Sequence, residues 1–223
     1  MHVRHFRALV LAGALFAPAS LASAHARPQT DLLDRAVAVW AKVRTARATF
    51  EQTITNSLTG RTLTATGEYQ QQRPGKLSVR FADPANDRIV ADGKNMWLYL
   101  PSTAPGQVIK TTMKDGGSGT VDLTAQFLTT PRSRFTVVPG GALTVSGRAT
   151  HAFTLTPKTK AGAPFQAATV WIDDADATIR QFDVTETSGL ERKVRLTSFR
   201  PNVAVDASAF TFTVPEGVRV VER

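Results

Sequence analysis

Cysteine is absent from all 223 residues. That absence excludes disulfide frameworks, thiol nucleophiles, Cys-ligated zinc, iron–sulfur clusters and lipidation on a cysteine. Histidine is nearly as scarce. His2, His5 and His25 lie in or beside the N-terminal segment, leaving His151 alone in the body of the chain, so a His-clustered metal centre has nothing to draw on. Apolar runs are short as well. The stretch Ala8–Ala17 holds ten small or apolar residues, where a membrane span needs about 20. Phosphate-loop spacing is missing around Gly75-Lys76 and Gly93-Lys94, Gly117 to Asp122 does not complete a dinucleotide fingerprint, and no Ser stands in a G-x-S-x-G elbow. The acidic stretch Asp173-Asp174-Ala175-Asp176 lacks the spacing of a calcium loop and suits a turn. No enzymatic site, metal or cofactor is expected.

What remains is an ordinary globular composition, 42% hydrophobic and 20% charged, which excludes disorder and a polytopic membrane protein. Met1–Ala24 has the three-part layout of a secretory signal: Arg4 and Arg7, the apolar run, then small residues. Cleavage fits after Ala24 or after Ala26. Removing Met1–Ala24 takes two basic residues and no acidic ones, leaving 25 against 18 and a charge of +7, down from +9. Export without cysteine fits the periplasm of a two-membrane bacterium. Residues 25–223 show no repeat or linker and read as a single domain.

Thr30 is placed to cap a helix with Asp31 and Asp34 in its first turn. Leu33, Val37, Trp40 and Val43 recur at spacings of three and four, predicting an amphipathic helix of about four turns. From Thr49 the period becomes two. Phe50, Gln52 and Ile54, then Leu63 to Tyr69, then Leu77, Val79 and Phe81 alternate with polar residues, as half-buried strands do. Further strands are predicted at Arg88–Ala91, Asn95–Leu100, Gln107–Thr112, Phe135–Val138, Ala152–Thr156, Ala167–Asp173, Ile179–Thr187, Leu190–Phe199 and Phe210–Val214. A dozen short strands at hairpin spacing predict an antiparallel sheet curled into a barrel or sandwich. One segment departs from this pattern: the polar loop Lys114–Thr120, then Val121–Thr129 with Leu123, Phe127 and Leu128 on one helical face until Pro131. A lid and a plain connector fit it equally. The shape suggests a container for a small apolar ligand.

Several segments, in order, resemble the LolA family of periplasmic lipoprotein carriers: Ala48–Thr53, Arg73-Pro74, Val90–Pro101, Phe153–Lys158, Ile179–Phe182 and Val205–Val218. The resemblance implies a mainly β fold with helices, an incomplete antiparallel β-barrel, or half-barrel, closed by an α-helical lid over an apolar cavity for acyl chains. It implies loading by an inner-membrane ABC transporter complex, delivery to an outer-membrane acceptor, and Arg73 as the latch that holds the empty form closed. The family's acceptor shares the fold but is anchored through a lipidated cysteine, which this chain lacks. Candidate cavity and lid residues are Leu33, Val37, Trp40, Phe50, Ile54, Leu77, Val79, Leu123 and Phe127, with Trp97 and Leu98 on opposite faces of one strand. Leu77 and Val79 stand where the family has aromatic residues. An envelope sensor or adaptor domain of the same architecture, and a hydrolase of an envelope polymer, are the competing readings.

Overall fold

The structure, a computed structural model, describes residues 29–113, 124–163 and 165–223. The signal segment, the loop Lys114–Thr120 and Leu123 lie outside the described residues.

Helix α1 spans Gln29–Ala41. Its buried stripe is Leu32, Leu33, Ala36 and Trp40, turned slightly from the predicted Leu33–Val37 row, and Val37 is left half-buried at the edge. Thr30 falls within the helix. The helix ends at Ala41, close to the predicted four turns, and the Val43 N–H then closes a turn onto the Trp40 carbonyl at 3.0 Å.

Twelve strands follow among the described residues. They are β1 (Thr45–Asn56), β2 (Thr62–Gln72), β3 (Lys76–Asp83), β4 (Arg88–Asp92), β5 (Asn95–Tyr99), β6 (Gln107–Thr112), β7 (Phe135–Val145), β8 (Arg148–Pro157), β9 (Ala167–Asp173), β10 (Ile179–Thr185), β11 (Leu190–Pro201) and β12 (Arg219–Glu222). They form one sheet in the order β12-β6-β5-β4-β3-β2-β1-β11-β10-β9-β8-β7. Every neighbouring pair is antiparallel except β12–β6. The sheet does not close on itself, since β12 and β7 are its edges. This is the incomplete barrel that the resemblance implies.

One predicted element is corrected. Phe210–Val214 is not a strand: Ala207–Phe210 is a 3-10 turn, begun by the Asp206 carboxylate accepting from the Ser208 N–H, and Ala209 and Phe210 are buried where the turn lies against β3 and β4. Alternation there marks a segment clamped on the sheet, not one paired into it. Pro131, expected to stop the short apolar helix, does lie beyond its end, and it also starts a second short turn. Ala125–Leu128 forms α2 and Pro131–Arg134 forms α3 with Pro at its first position, where the missing N–H costs nothing. The β7–β8 hairpin is longer than predicted because Ser146 and Gly147 both take positive φ, 47° and 76°, the two-residue turn that suits twisted strands.

Cross-strand partners share a face, so the register assigns the two sides of the sheet. Phe50, Gln52 and Ile54 pair with Leu196, Val194 and Arg192. Val184 pairs with Arg192, and Phe182 with Val194. These residues face the concave side, where Leu33, Trp40, Phe127 and Leu128 of the helices join Phe50, Leu77, Val79, Val170 and Phe182 in one core. On the convex side the C-terminal segment covers β3 to β5.

Candidate apolar cavity

Four arginines secure the helices over the concave face. At the end of α1, Arg73 Nη1 donates to the Trp40 carbonyl at 2.9 Å and the Val43 carbonyl at 3.1 Å. Its guanidinium also lies 5.2 Å from the centre of the Trp40 ring, so charge, ring face and helix-end carbonyls meet at one point. Arg35 reaches from α1 to the carbonyls of Asp174 and Ala175 at 3.3–3.5 Å. Arg134 donates to the carbonyls of Gln126 and Thr129 at the end of α2. Arg132 pairs with Asp34 at 3.1 Å, tying α3 to α1. The α2 ring of Phe127 packs on Phe182, with centroids 5.2 Å apart, and on Phe165 at 5.8 Å.

The turn that receives Arg35 is built by Asp173. Its carboxylate accepts from the Ala175 N–H, from Arg148 at 2.6 Å and from Arg180 at 2.9 Å. Burial opposes its charge, but those donors together hold its pKa below the ordinary carboxylate value. The acidic cluster therefore shapes a turn, as read from the sequence.

Between sheet and helices is a cavity of about 330 Å³, near the low end for ligand sites. Its walls are Phe50 and Gln52 of β1, Tyr69 of β2, Val79 and Phe81 of β3, and Ile89 of β4. Phe182 and Val184 of β10 and Val194 and Leu196 of β11 face them, with Phe199, Glu186, Thr187 and Arg192 at the margin and Thr124 and Gln126 of the α2 region above. The Phe50 and Phe81 rings meet edge to face at 5.6 Å. Phe50 has room because its partner across the strands is Gly67; a Cβ there would stand 2.9 Å from the Phe50 ring and closer still to the Arg80 carbonyl.

Of the residues predicted from sequence, Phe50 and Val79 line this cavity. Leu33, Trp40, Leu77 and Phe127 are buried in the adjoining core, and Val37 packs against it. Ile54 lies on the same face one step beyond Gln52. Leu98 shares the concave face with its partner Ile89. Trp97 does not line the cavity: its partners are Val90 and Lys110, and on the convex side its ring stacks on Phe212 at 5.5 Å. Its aromatic surface is spent on clamping the C-terminal segment. Sequence reasoning missed Phe81, Ile89, Phe182, Val184, Leu196 and Phe199 as wall residues, and the Gln52, Glu186 and Arg192 group. Period-two alternation singles out the apolar members, but choosing the inward face takes the register.

Comparison with known proteins gives the same picture. The outer-membrane lipoprotein carrier protein of Serratia proteamaculans (strain 568) is 32% identical over 178 residues, covering 80% of this chain and 81% of that one. The namesake from Klebsiella pneumoniae (strain 342) is 31% identical over 180 residues, covering 80% and 82%. The crystal structure of an uncharacterized conserved protein from Thermus thermophilus superimposes with a TM-score of 0.52 at 14% identity, covering 88% of this chain and 100% of that one, a likeness of fold. The family described as outer membrane lipoprotein carrier protein LolA matches residues 41–213. An open antiparallel half-barrel, helices fastened over its concave face and a sequence match across most of its length together make this chain a member of the LolA family.

Proposed function

We propose that the chain is a periplasmic carrier. It takes up the acyl chains of lipoproteins released from the inner membrane and delivers them to an outer-membrane acceptor. The observation that carries this reading is the apolar cavity between the sheet and the α2 region, beside α1, whose end is held by Arg73. The family is one of carriers, not of enzymes. Met1–Ala24, or Met1–Ala26, directs export and is removed, and the remaining residues act as one domain. An inner-membrane ABC transporter complex loads the carrier, which works without a cofactor and as a monomer.

The physical need is large. Each CH₂ kept from water is worth about 0.8 kcal/mol, so a chain of about 15 methylenes resists transfer to water by on the order of 12 kcal/mol. A carrier has to match that burial and still release its load. A cavity this small accepts several long chains only by parting its walls, and the cover over Phe50, Val79 and Phe182 is the part joined by side-chain contacts instead of strand ladders. Arg73 acts as the latch: its two bonds to α1 hold the empty form shut and break as acyl chains lift the helix. The lid comprises α1 and the segment of Leu123 and Phe127, while Leu98 and Ile54 extend the binding wall.

Depletion tests the reading. Loss of this protein is expected to strand outer-membrane lipoproteins at the inner membrane, and the purified periplasmic protein is expected to carry acylated cargo by mass spectrometry. Normal lipoprotein sorting on depletion, with only cargo-free protein recovered, overturns it and favours an envelope sensor or adaptor of the same fold.

A further inference from the structure

An otherwise apolar wall carries one ionic group. Arg192 of β11 lies on the concave face between Ile54 and Val184, its cross-strand partners on either side. Its guanidinium donates from Nε and Nη2 to one oxygen of Glu186, at 2.9 and 2.7 Å, and from Nη1 to Oε1 of Gln52 at 3.0 Å. Both ionic side chains stay partly open, 35% and 28% exposed, and all three residues line the cavity. The register places them at the end where the β1–β2 and β10–β11 hairpins turn, whereas Phe81 and Ile89 occupy the far wall. The cavity is thus amphipathic along its length.

Stability does not explain the group. A half-buried ion pair in an apolar wall contributes little and exchanges with hydrophobic side chains at little cost. Its chemistry does suggest an occupant. A guanidinium has five N–H donors; three are engaged as described, which leaves two without a protein acceptor among the described residues. Glu186 cancels the charge, so the site favours a neutral acceptor over an anion. Gln52 adds an amide to the same edge.

The geometry points to a head-group subsite: Arg192, held by Glu186 and Gln52, donates to ester or amide carbonyls at the root of acyl chains whose tails run along Phe50 and Phe81. The inference rests on the carrier reading and adds to it a direction of insertion and a preferred linkage. A ligand whose chains join through carbonyls satisfies the open donors; a pure hydrocarbon or ether-linked ligand leaves them unpaired inside the cavity.

The test titrates the full-length mature protein with a synthetic triacyl lipopeptide bearing palmitoyl ester and amide linkages, and with a counterpart whose carbonyls are replaced by methylenes. Sodium palmitate serves as the anionic arm. The wild type is expected to bind the carbonyl-bearing lipopeptide about tenfold or more tightly than the ether form, the range of a hydrogen bond to a charged group. Arg192→Met should erase that ratio while leaving ether-form affinity within about twofold, and Arg192→Gln, which keeps amide donors, should retain part of it; circular dichroism checks that both variants fold. Equal affinities in the wild type, a ratio that survives Arg192→Met, or an Arg192-dependent preference for palmitate overturns the subsite. If neither lipopeptide binds the wild type, the carrier reading itself falls.

Discussion

Arg73 shows how one side chain links sequence to mechanism in this protein. It stands where β2 gives way to the β3 hairpin, and in sequence it is indistinguishable from any arginine flanking a turn. The fold brings it under the end of α1, where its guanidinium donates to the Trp40 and Val43 carbonyls. Arg73→Leu keeps the apolar stem and removes both bonds. Urea unfolding of the empty protein is expected to show a loss of about 1–2 kcal/mol, since hydrogen bonds from a charged donor to partly buried acceptors are worth about that much. In transfer assays the variant should hold cargo and pass it to the acceptor more slowly. A release rate equal to the wild type removes the latch role even if stability falls. Trp97 gives the opposite lesson: a large aromatic in a strand looks like a ligand contact, yet its neighbour in sequence, Leu98, is the one that faces inward, because parity along a strand is visible before its absolute direction is.

At the scale of elements, the β1–β2 pair depends on Gly67. The Phe50 ring lies across it, and the β3 backbone passes just beyond, so a side chain there must push one or the other away. Gly67→Ala is expected to lower the urea midpoint, by the roughly 1–3 kcal/mol typical of overpacking, and to shift Phe50 into the cavity with a measurable loss of lipopeptide affinity. Gly60→Ala is a suitable control for space, since nothing lies within 4 Å of its added carbon, although its positive φ of 69° carries a strain of its own. Unchanged stability and affinity in Gly67→Ala would show that the strands give way freely. Most elements were readable in advance because alternation and turn residues are local: β3, β6 and β9 fall at or within one or two residues of their predicted bounds. The failure at Phe210–Val214 has a physical cause. The segment places its aromatic side chains against elements far away in sequence, so local pattern misstates what it is.

For the whole molecule, cover and sheet differ in how they are held. Strands are joined by continuous ladders from β12 to β7, whereas α1 is attached through arginine contacts and apolar packing. Opening should therefore concentrate in the helices. Hydrogen exchange on loading with a triacyl lipopeptide is expected to accelerate in α1 while β8 to β10 stay protected; uniform protection across both, or faster exchange in the strands, contradicts a moving cover. Composition, the missing cysteine and the period-two alternation were enough to predict a mainly antiparallel β fold and to exclude thiol chemistry, since each is a property of residue types or of neighbours along the chain. Which strand faces turn inward, that Trp97 clamps the tail, that Arg73 meets α1, and that Gln52, Glu186 and Arg192 converge at one end of the cavity all depend on residues brought together across 30 to 140 positions. Cross-strand register makes those meetings, and register is set by the packing of the entire sheet, not by any local stretch of it.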